Sequence, residues 1–341
     1  MGRRERPLED LVTLWPGRRV LVTGATGFIG CWLVERLLRL GAEVTALDVE
    51  AAPRPPLHES GLSDRLRVVR GSVEDPGALA RTMTDHGAQT VFHLAAQAIV
   101  PTARANPVAT FETNIRGTWT LLDTCRQRGD IVSEVVVASS DKAYGPSDRL
   151  PYTEEMPLAG RQPYEVSKAC ADLLAQSYHH AFGLRVAVAR CGNVYGGGDL
   201  NWSRLIPGTI AALERGERPV VRSDGSHVRD YIYVEDVVGA YIRLAEALRD
   251  GSTGGEAFNF STESQATVLD VVDKLRSLMG CEHLEPDVRA TAEGEIPTQH
   301  LSAEKARSVL GWSPRYDLDS GLPPTIEWYR ARLRRDSVRS A

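Results

Sequence analysis

Tyr164 and Lys168 stand four residues apart in Pro163-Tyr164-Glu165-Val166-Ser167-Lys168, at the start of a helical pattern. That spacing puts both side chains on one helix face. A lysine ammonium beside a phenol favours the phenolate, a base able to take a proton from a substrate hydroxyl as hydride leaves. Tyrosine-x-x-x-lysine alone is a common helical accident. Here it is accompanied by Ser139-Ser140-Asp141-Lys142, directly after an apolar run at 134–138 that reads as a strand. Ligands bind at the C-terminal ends of parallel strands, where the Ser140 hydroxyl can hydrogen-bond a reacting oxygen.

A second constellation lies near the start of the chain: Thr23-Gly24-Ala25-Thr26-Gly27-Phe28-Ile29-Gly30, between an apolar strand (18–23) and a helical pattern (28–40). Glycines in a G-x-x-G-x-x-G turn let the backbone approach a pyrophosphate, and the following helix presents free N–H groups and a positive dipole end. Asp48 ends the next strand, about 20 residues on, where an acid accepts hydrogen bonds from ribose hydroxyls and repels a 2′-phosphate. Together they predict an NAD site, with Lys168 available to the nicotinamide ribose. Arg54, close behind Asp48, is the one residue that would greet a 2′-phosphate instead.

These residues need a scaffold, and the chain reads as one. Apolar, β-branched runs at 18–23, 43–47, 66–70, 90–94, 134–138 and 185–189 alternate with helical patterns. Such alternation predicts an α/β fold, a Rossmann-type doubly wound parallel sheet covered on both faces. After residue 190 glycines cluster, helices shorten and strands scatter, which predicts a smaller mixed α/β C-terminal substrate lobe. The strand at 257–260 is expected to return to the main sheet. The predicted division is an N-terminal extension over 1–17, flexible or capping, an NAD-binding domain over 18–190, and a partly interleaved substrate-binding lobe over 191–341. A Pro-rich loop is expected at 51–56.

Bulk properties narrow the function. The 341 residues carry a net charge of −5, with 42% hydrophobic and 25% charged residues, an ordinary globular balance that argues against a nucleic-acid binder. An anionic substrate must therefore meet a local basic patch. The five cysteines are scattered and form no C-x-x-C pair, which fits a reducing cytoplasm and argues against disulfides or zinc. No apolar run is long enough for a membrane span. Neither His93 nor the adjacent His179-His180 has metal-ligand company, so no metal is expected.

With these motifs in hand, the chain resembles the extended short-chain dehydrogenase/reductases that act on nucleotide sugars, the NAD-dependent epimerase/dehydratase family. Several segments resemble its CDP-glucose 4,6-dehydratase branch: His93-Leu94-Ala95-Ala96-Gln97, Ser140-Asp141-Lys142-Ala143-Tyr144, Gly192-Asn193-Val194-Tyr195-Gly196-Gly197-Gly198-Asp199, Arg204-Leu205-Ile206-Pro207 and Leu310-Gly311-Trp312. The likeness covers roughly residues 18–330. It implies that Gly24, Thr26, Gly27, Phe28, Ile29, Gly30, Asp48, Leu94, Ala95, Ala96, Tyr164 and Lys168 hold the cofactor. It also implies that Gln97, Asn193 and Arg204 contact the substrate. Arg229 is the candidate for a diphosphate, because a guanidinium offers a planar fork to phosphate oxygens.

The mechanism implied by the resemblance begins with Tyr164, assisted by Lys168 and Ser140, at the 4-hydroxyl. Lys142 stands where related dTDP-glucose dehydratases carry a glutamate base, and Asp141 where they carry the acid that protonates the departing 6-hydroxyl. A lysine base must be neutral; burial and Lys168 would favour that, and Asp141 opposes it. The chain also departs from the branch. Ala25 and Ile29 replace a histidine and a lysine in the glycine loop, Gly71-Ser72 replaces Gly-Asp after the third strand, and Arg229-Asp230-Tyr231-Ile232-Tyr233-Val234-Glu235-Asp236 matches the wider family better. The nucleotide and the sugar stay open. A 4-epimerase, which needs no acid–base pair at 141–142, is the alternative enzyme, and a non-catalytic dinucleotide-binding regulator is the alternative outside catalysis. Helical patterns bearing Trp119, Leu121 and Leu122, and Ala169, Leu173 and Leu174, match helices that pair across a dimer in this family, so a homodimer is expected by analogy.

Overall fold

The computed structural model describes residues 14–49, 60–291 and 295–339. Most of the N-terminal extension, the Pro-rich loop and Arg54 lie outside the described residues. Contacts divide the chain into two units. The first runs to Ala143 and adds Ala159–Ala189 and Val238–Phe258; the second comprises Tyr144–Leu158, Arg190–Val237 and the chain from Asn259 onward.

The elements in chain order are β1 (Arg19–Thr23), α1 (Phe28–Arg39), β2 (Glu43–Asp48), β3 (Arg67–Arg70), α2 (Pro76–His86), β4 (Thr90–His93), α3 (Val100–Ala105), α4 (Pro107–Phe111), α5 (Gly117–Gln127), β5 (Glu134–Ala138), α6 (Pro163–Phe182) and β6 (Val186–Cys191). There follow β7 (Asn193–Tyr195), α7 (Leu205–Glu214), β8 (Val220–Val221), β9 (Val228–Tyr233), α8 (Val234–Arg249), β10 (Ala257–Phe260), β11 (Gln265–Thr267), α9 (Val268–Met279), β12 (Asp287–Val288) and α10 (Leu318–Arg339).

Seven strands form the central sheet in the order β10-β6-β5-β4-β1-β2-β3. The strand at 257–260 does join it. The β1–β2, β1–β4, β2–β3, β4–β5 and β5–β6 pairs are parallel. Strands buried on both faces explain the continuous apolar runs: all six residues of β6 are buried, and β1 is buried beyond its first residue. Helix α1 covers the sheet with Leu33, Val34, Leu37 and Leu38, a stripe at helical spacing. Helix α2 is stopped by sequence at both ends. The Asp75 carboxylate accepts from Gly77 N at 2.8 Å, Pro76 opens the first turn, and Gly87 closes the helix in the left-handed conformation. Strand order reverses between β1 and β4, the crevice where doubly wound sheets bind their ligands.

Just ahead of β1, Trp15 is fully buried. Its indole N–H donates to Glu246 at 2.9 Å, and its ring lies 6.2 Å from that of Phe92. Among the described residues no helix is long and apolar enough to cross a membrane.

The second unit contains a three-stranded sheet, β11-β9-β7, and a two-stranded one, β12-β8. A small core forms where Tyr144 stacks on Tyr152 at 4.8 Å beside Leu301. Buried Arg190 donates to the Tyr144 hydroxyl at 2.7 Å, and that hydroxyl donates to Asn259 at 2.8 Å. The stack anchors the residue that ends the 141–144 turn.

Candidate active site

Three carboxyl ends are held in line at the top of the central sheet, because Thr23 pairs with His93 and His93 with Val137. Gly24 follows β1 with φ at +69°, a conformation that side chains rarely adopt, and a Cβ there would lie 2.7 Å from Ala95 N. Gly30 sits under the Gly24 carbonyl, and its Cβ would meet Ala25 Cα at 2.8 Å. Gly27 caps α1 with no side chain, and the first turn holds no acid. The N–H groups of Phe28, Ile29 and Gly30 thus open an uncompensated positive helix end. A narrow glycine cradle below a bare helix N-terminus fits a dinucleotide pyrophosphate.

Asp48 ties this loop down. One carboxylate oxygen accepts from Thr26 N at 3.0 Å and from the Thr26 hydroxyl at 2.7 Å. Leu94, Ala95 and Ala96 run past the same cradle: Leu94 N donates to Thr23 O at 3.1 Å, and Ala95 N to the Thr23 hydroxyl at 3.3 Å. Gln97 N donates to Asn114 at 2.7 Å, and its side-chain amide closes a turn on Ile99.

Beneath the loop, His93 is fully inside the protein. The Thr118 hydroxyl donates to Asn114 O at 2.6 Å, so it accepts at His93 Nε2, 3.1 Å away. The proton therefore sits on Nε2, and Nδ1 accepts from the Thr23 hydroxyl at 2.8 Å. Burial first, and the Lys168 charge second, push His93 down to about 3. It is a neutral structural link, not an acid or base.

After β5 the chain turns tightly over Asp141–Tyr144. The Ser140 hydroxyl donates to Asp141 Oδ1 at 2.9 Å, and Lys142 N donates to Ser140 Oγ at 3.3 Å. Lys142 Nζ lies 4.0 Å from Asp141 Oδ1. Asp141 is 1% exposed, yet its Oδ2 has no hydrogen-bond partner among the described residues. Leaving a buried acceptor unmet costs on the order of 1–3 kcal/mol, and more for a charged one. That oxygen is an acceptor left open for a further donor.

Tyr164 and Lys168 lie buried on the first turns of α6. The Lys168 ammonium donates to Ala138 O at 2.9 Å, tying the helix to the end of β5. Sequence reasoning missed what holds this helix. Ser167 donates to Tyr164 O at 2.7 Å and accepts from Asn114 Nδ2 at 2.9 Å; the same nitrogen reaches Gln97 O at 3.0 Å. Asn114 lies in a π-helical turn, Glu112–Arg116, and such widened turns often mark functional sites. The available signal was an asparagine inside an otherwise helical stretch. It carries weight only once the fold brings Gln97 and Ser167 to it.

Asn193, Arg204 and Arg229 all fall in the second unit. Asn193 pairs with Tyr231 across β7 and β9, two residues from Arg229 on the same sheet. Arg229 is buried, with Nη1 on the Val228 and Pro297 carbonyls and Nη2 on Glu295 at 3.1 Å. Arg204 stands just ahead of α7 without a side-chain capping bond and pairs with Asp199 at 3.2 Å, while Tyr329 donates to Asp199 O at 2.7 Å.

The profile of the NAD dependent epimerase/dehydratase family matches residues 20–260. A CDP-glucose 4,6-dehydratase of Salmonella typhimurium is 34% identical over 95% of this chain and 94% of its own length. The crystal structure of a UDP-glucose 4-epimerase from Thermotoga maritima with UDP-glucose superposes with a TM-score of 0.84 at 30% identity, covering 92% of this chain and 99% of that one. The crystal structure of a dTDP-glucose 4,6-dehydratase from Streptomyces venezuelae with NAD bound gives 0.83 at 32% identity, covering 92% and 97%. The chain belongs to the NAD-dependent epimerase/dehydratase family.

Proposed function

We propose that the protein is an NAD-dependent nucleotide-sugar 4,6-dehydratase, a lyase that converts an NDP-hexose to its 4-keto-6-deoxy derivative, with a CDP-glucose-like substrate favoured. The observation that carries this reading is the turn at 140–142. A buried aspartate with one unmet oxygen, hydrogen-bonded to Ser140 and within 4.0 Å of a lysine, is the equipment an elimination needs and an epimerisation does not.

The glycine loop Gly24–Gly30 and Asp48 would hold NAD, which when bound would supply a hydride acceptor for C4 and a hydride donor for C6. Tyr164, its phenolate favoured by Lys168, takes the 4-hydroxyl proton, and Ser140 steadies that oxygen. The new C4 ketone acidifies the C5 proton, which Lys142 removes. Asp141, in its neutral acid form, protonates the 6-hydroxyl, the C6–O bond breaks, water leaves, and the aspartate is left as the carboxylate. Lys142 then returns a proton, exchanged with solvent, to C5, and with the hydride restored to C6 no net oxidation remains. Ser140 reaches its role by turning its hydroxyl from Asp141 to the sugar.

Residues 18–190 form the NAD-binding domain in this account, and 191–341 the substrate lobe. Gln97, Asn193, Arg204 and Arg229 contact the substrate, with Arg229 exchanging Glu295 for a diphosphate oxygen. The protein works as a cytoplasmic homodimer built on α5 and α6.

The half-reactions can be told apart. With NAD and a responsive nucleotide sugar, Tyr164→Phe is expected to lose oxidation and elimination together, by roughly 10²–10⁴-fold. Asp141→Asn should lose elimination by a similar factor while still oxidising C4, seen as steady near-ultraviolet absorbance of reduced nicotinamide. Full turnover in Asp141→Asn to a C4 epimer with no loss of water would contradict the dehydratase and favour a 4-epimerase.

A further inference from the structure

The turn that carries Asp141 and Lys142 is not adjacent in sequence to Tyr164, yet the two must hold one sugar ring between them. A short bridge joins them inside the first unit. Ala143 N donates to Ser140 O at 3.2 Å, which closes the turn, and Ala143 O accepts from Gly160 N at 3.2 Å. Gly160 is pressed against Glu165: a Cβ at Gly160 would lie 2.7 Å from Glu165 Cβ and 2.8 Å from its carbonyl carbon. Glu165 in turn reaches back over the start of α6. Its Oε2 accepts from Arg161 N at 2.8 Å and from Gln162 N at 3.1 Å.

Glu165 is only 7% exposed. Burying a carboxylate is costly unless hydrogen bonds and a favourable field offset it. Here two backbone donors and the positive end of α6 do so, as in the third-position acid of a capping box. A helix cap alone could sit in solvent. This one is buried, and the segment it grips is the segment that grips Ala143.

We propose that Glu165 is a positioning residue that sets the Asp141–Lys142 turn relative to Tyr164, and so keeps elimination in step with oxidation. The proposal rests on the dehydratase reading. Tyr164 and Lys168 hold their own contacts through Ser167, Asn114 and Ala138, so loss of the Glu165 grip loosens the elimination pair more than the oxidation pair. Displacements of about 1 Å in a catalytic group cost up to ~10²-fold in rate.

The test uses the full-length holoenzyme with a nucleotide sugar that the wild type dehydrates. Glu165→Ala is expected to slow water loss roughly ten- to hundredfold and to accumulate reduced nicotinamide, because oxidation outruns elimination. Glu165→Gln keeps an acceptor oxygen at the same reach and should restore both the rate and the low steady-state absorbance. Gly160→Ala, whose Cβ would press on Glu165 Cβ and carbonyl carbon and so force the bridge apart while the carboxylate is kept, should reproduce the Glu165→Ala signature. Thermal melting of each variant supplies the folded fraction, so rates are compared per folded molecule. Accumulation in Glu165→Ala and Gly160→Ala with rescue in Glu165→Gln supports the proposal. Equal loss of both half-reactions, or an unchanged rate per folded molecule, overturns it and leaves Glu165 a helix cap. A wild type that removes no water from any nucleotide sugar fails before any substitution is made, and contradicts the dehydratase reading itself.

Discussion

At His93 an ionisable side chain has been made a neutral strut. Thr23 donates to one ring nitrogen, the other donates to Thr118, and burial holds its pKa near 3 against 6.5 for the free group. The unfolded chain therefore takes up a proton first as the pH falls. The stability tied to this residue is whole above about 6.5 and drains away as the pH drops toward 3, at up to about 1.4 kcal/mol per pH unit. His93→Gln, which cannot be protonated, should show a shallower loss of denaturation free energy between pH 6.5 and 4. Identical slopes for the two proteins would contradict a neutral buried imidazole. The proposed catalytic residues Tyr164, Lys168, Ser140 and Asp141 were picked out from sequence because their types stand at short spacing beside a strand end and a helix start, and the fold places them there. Asn114, Thr118 and Glu165 were not, because the local signs they carry, an asparagine in a helical stretch and an acid in a first helical turn, gain meaning only from distant contacts. Asn114 and Thr118 meet Gln97 and His93 only in the folded sheet, and Glu165 matters through Gly160, which it packs against and whose N–H reaches Ala143.

Strands buried on both faces announce themselves as apolar runs, and β5 and β10 begin and end where the pattern predicts. Elsewhere pairing moves the ends: β6 continues to Cys191, beyond the expected 189, and β4 stops at His93. The π-helical turn ahead of α5 was invisible, since an extra residue per turn breaks the period that a helix is read by. Helices α5 and α6 also divide their apolar residues in a way the spacing did not reveal. Leu121 and Leu122 are buried in the core, while Trp119 and Leu173 remain 43% and 56% exposed. These two exposed side chains, on helices packed side by side, form the surface on which the proposed homodimer depends. Sedimentation equilibrium should find a dimer for the wild type and a folded monomer for Trp119→Glu with Leu173→Glu. A wild-type monomer at micromolar concentration would remove the dimer from the account.

For the molecule as a whole, the alternation of strands and helices sufficed to predict a doubly wound sheet, and the strand order has its reversal beside the glycine loop. The substrate was not legible. The residues proposed to recognise it in the second unit, Asn193, Arg204 and Arg229, obey no local spacing. Relatives near 30–34% identity include both dehydratases and epimerases. The reaction itself leaves a cleaner record than any of these residues. The most direct measurement is mass spectrometry of the product formed with NAD and a panel of CDP-, GDP-, dTDP- and UDP-hexoses in heavy water. The account predicts a product that has lost one water and carries one solvent deuterium at C5, from the nucleotide the enzyme prefers. A product of unchanged mass, free of deuterium and inverted at C4, would contradict it and reduce Asp141 and Lys142 to a structural pair in a loop.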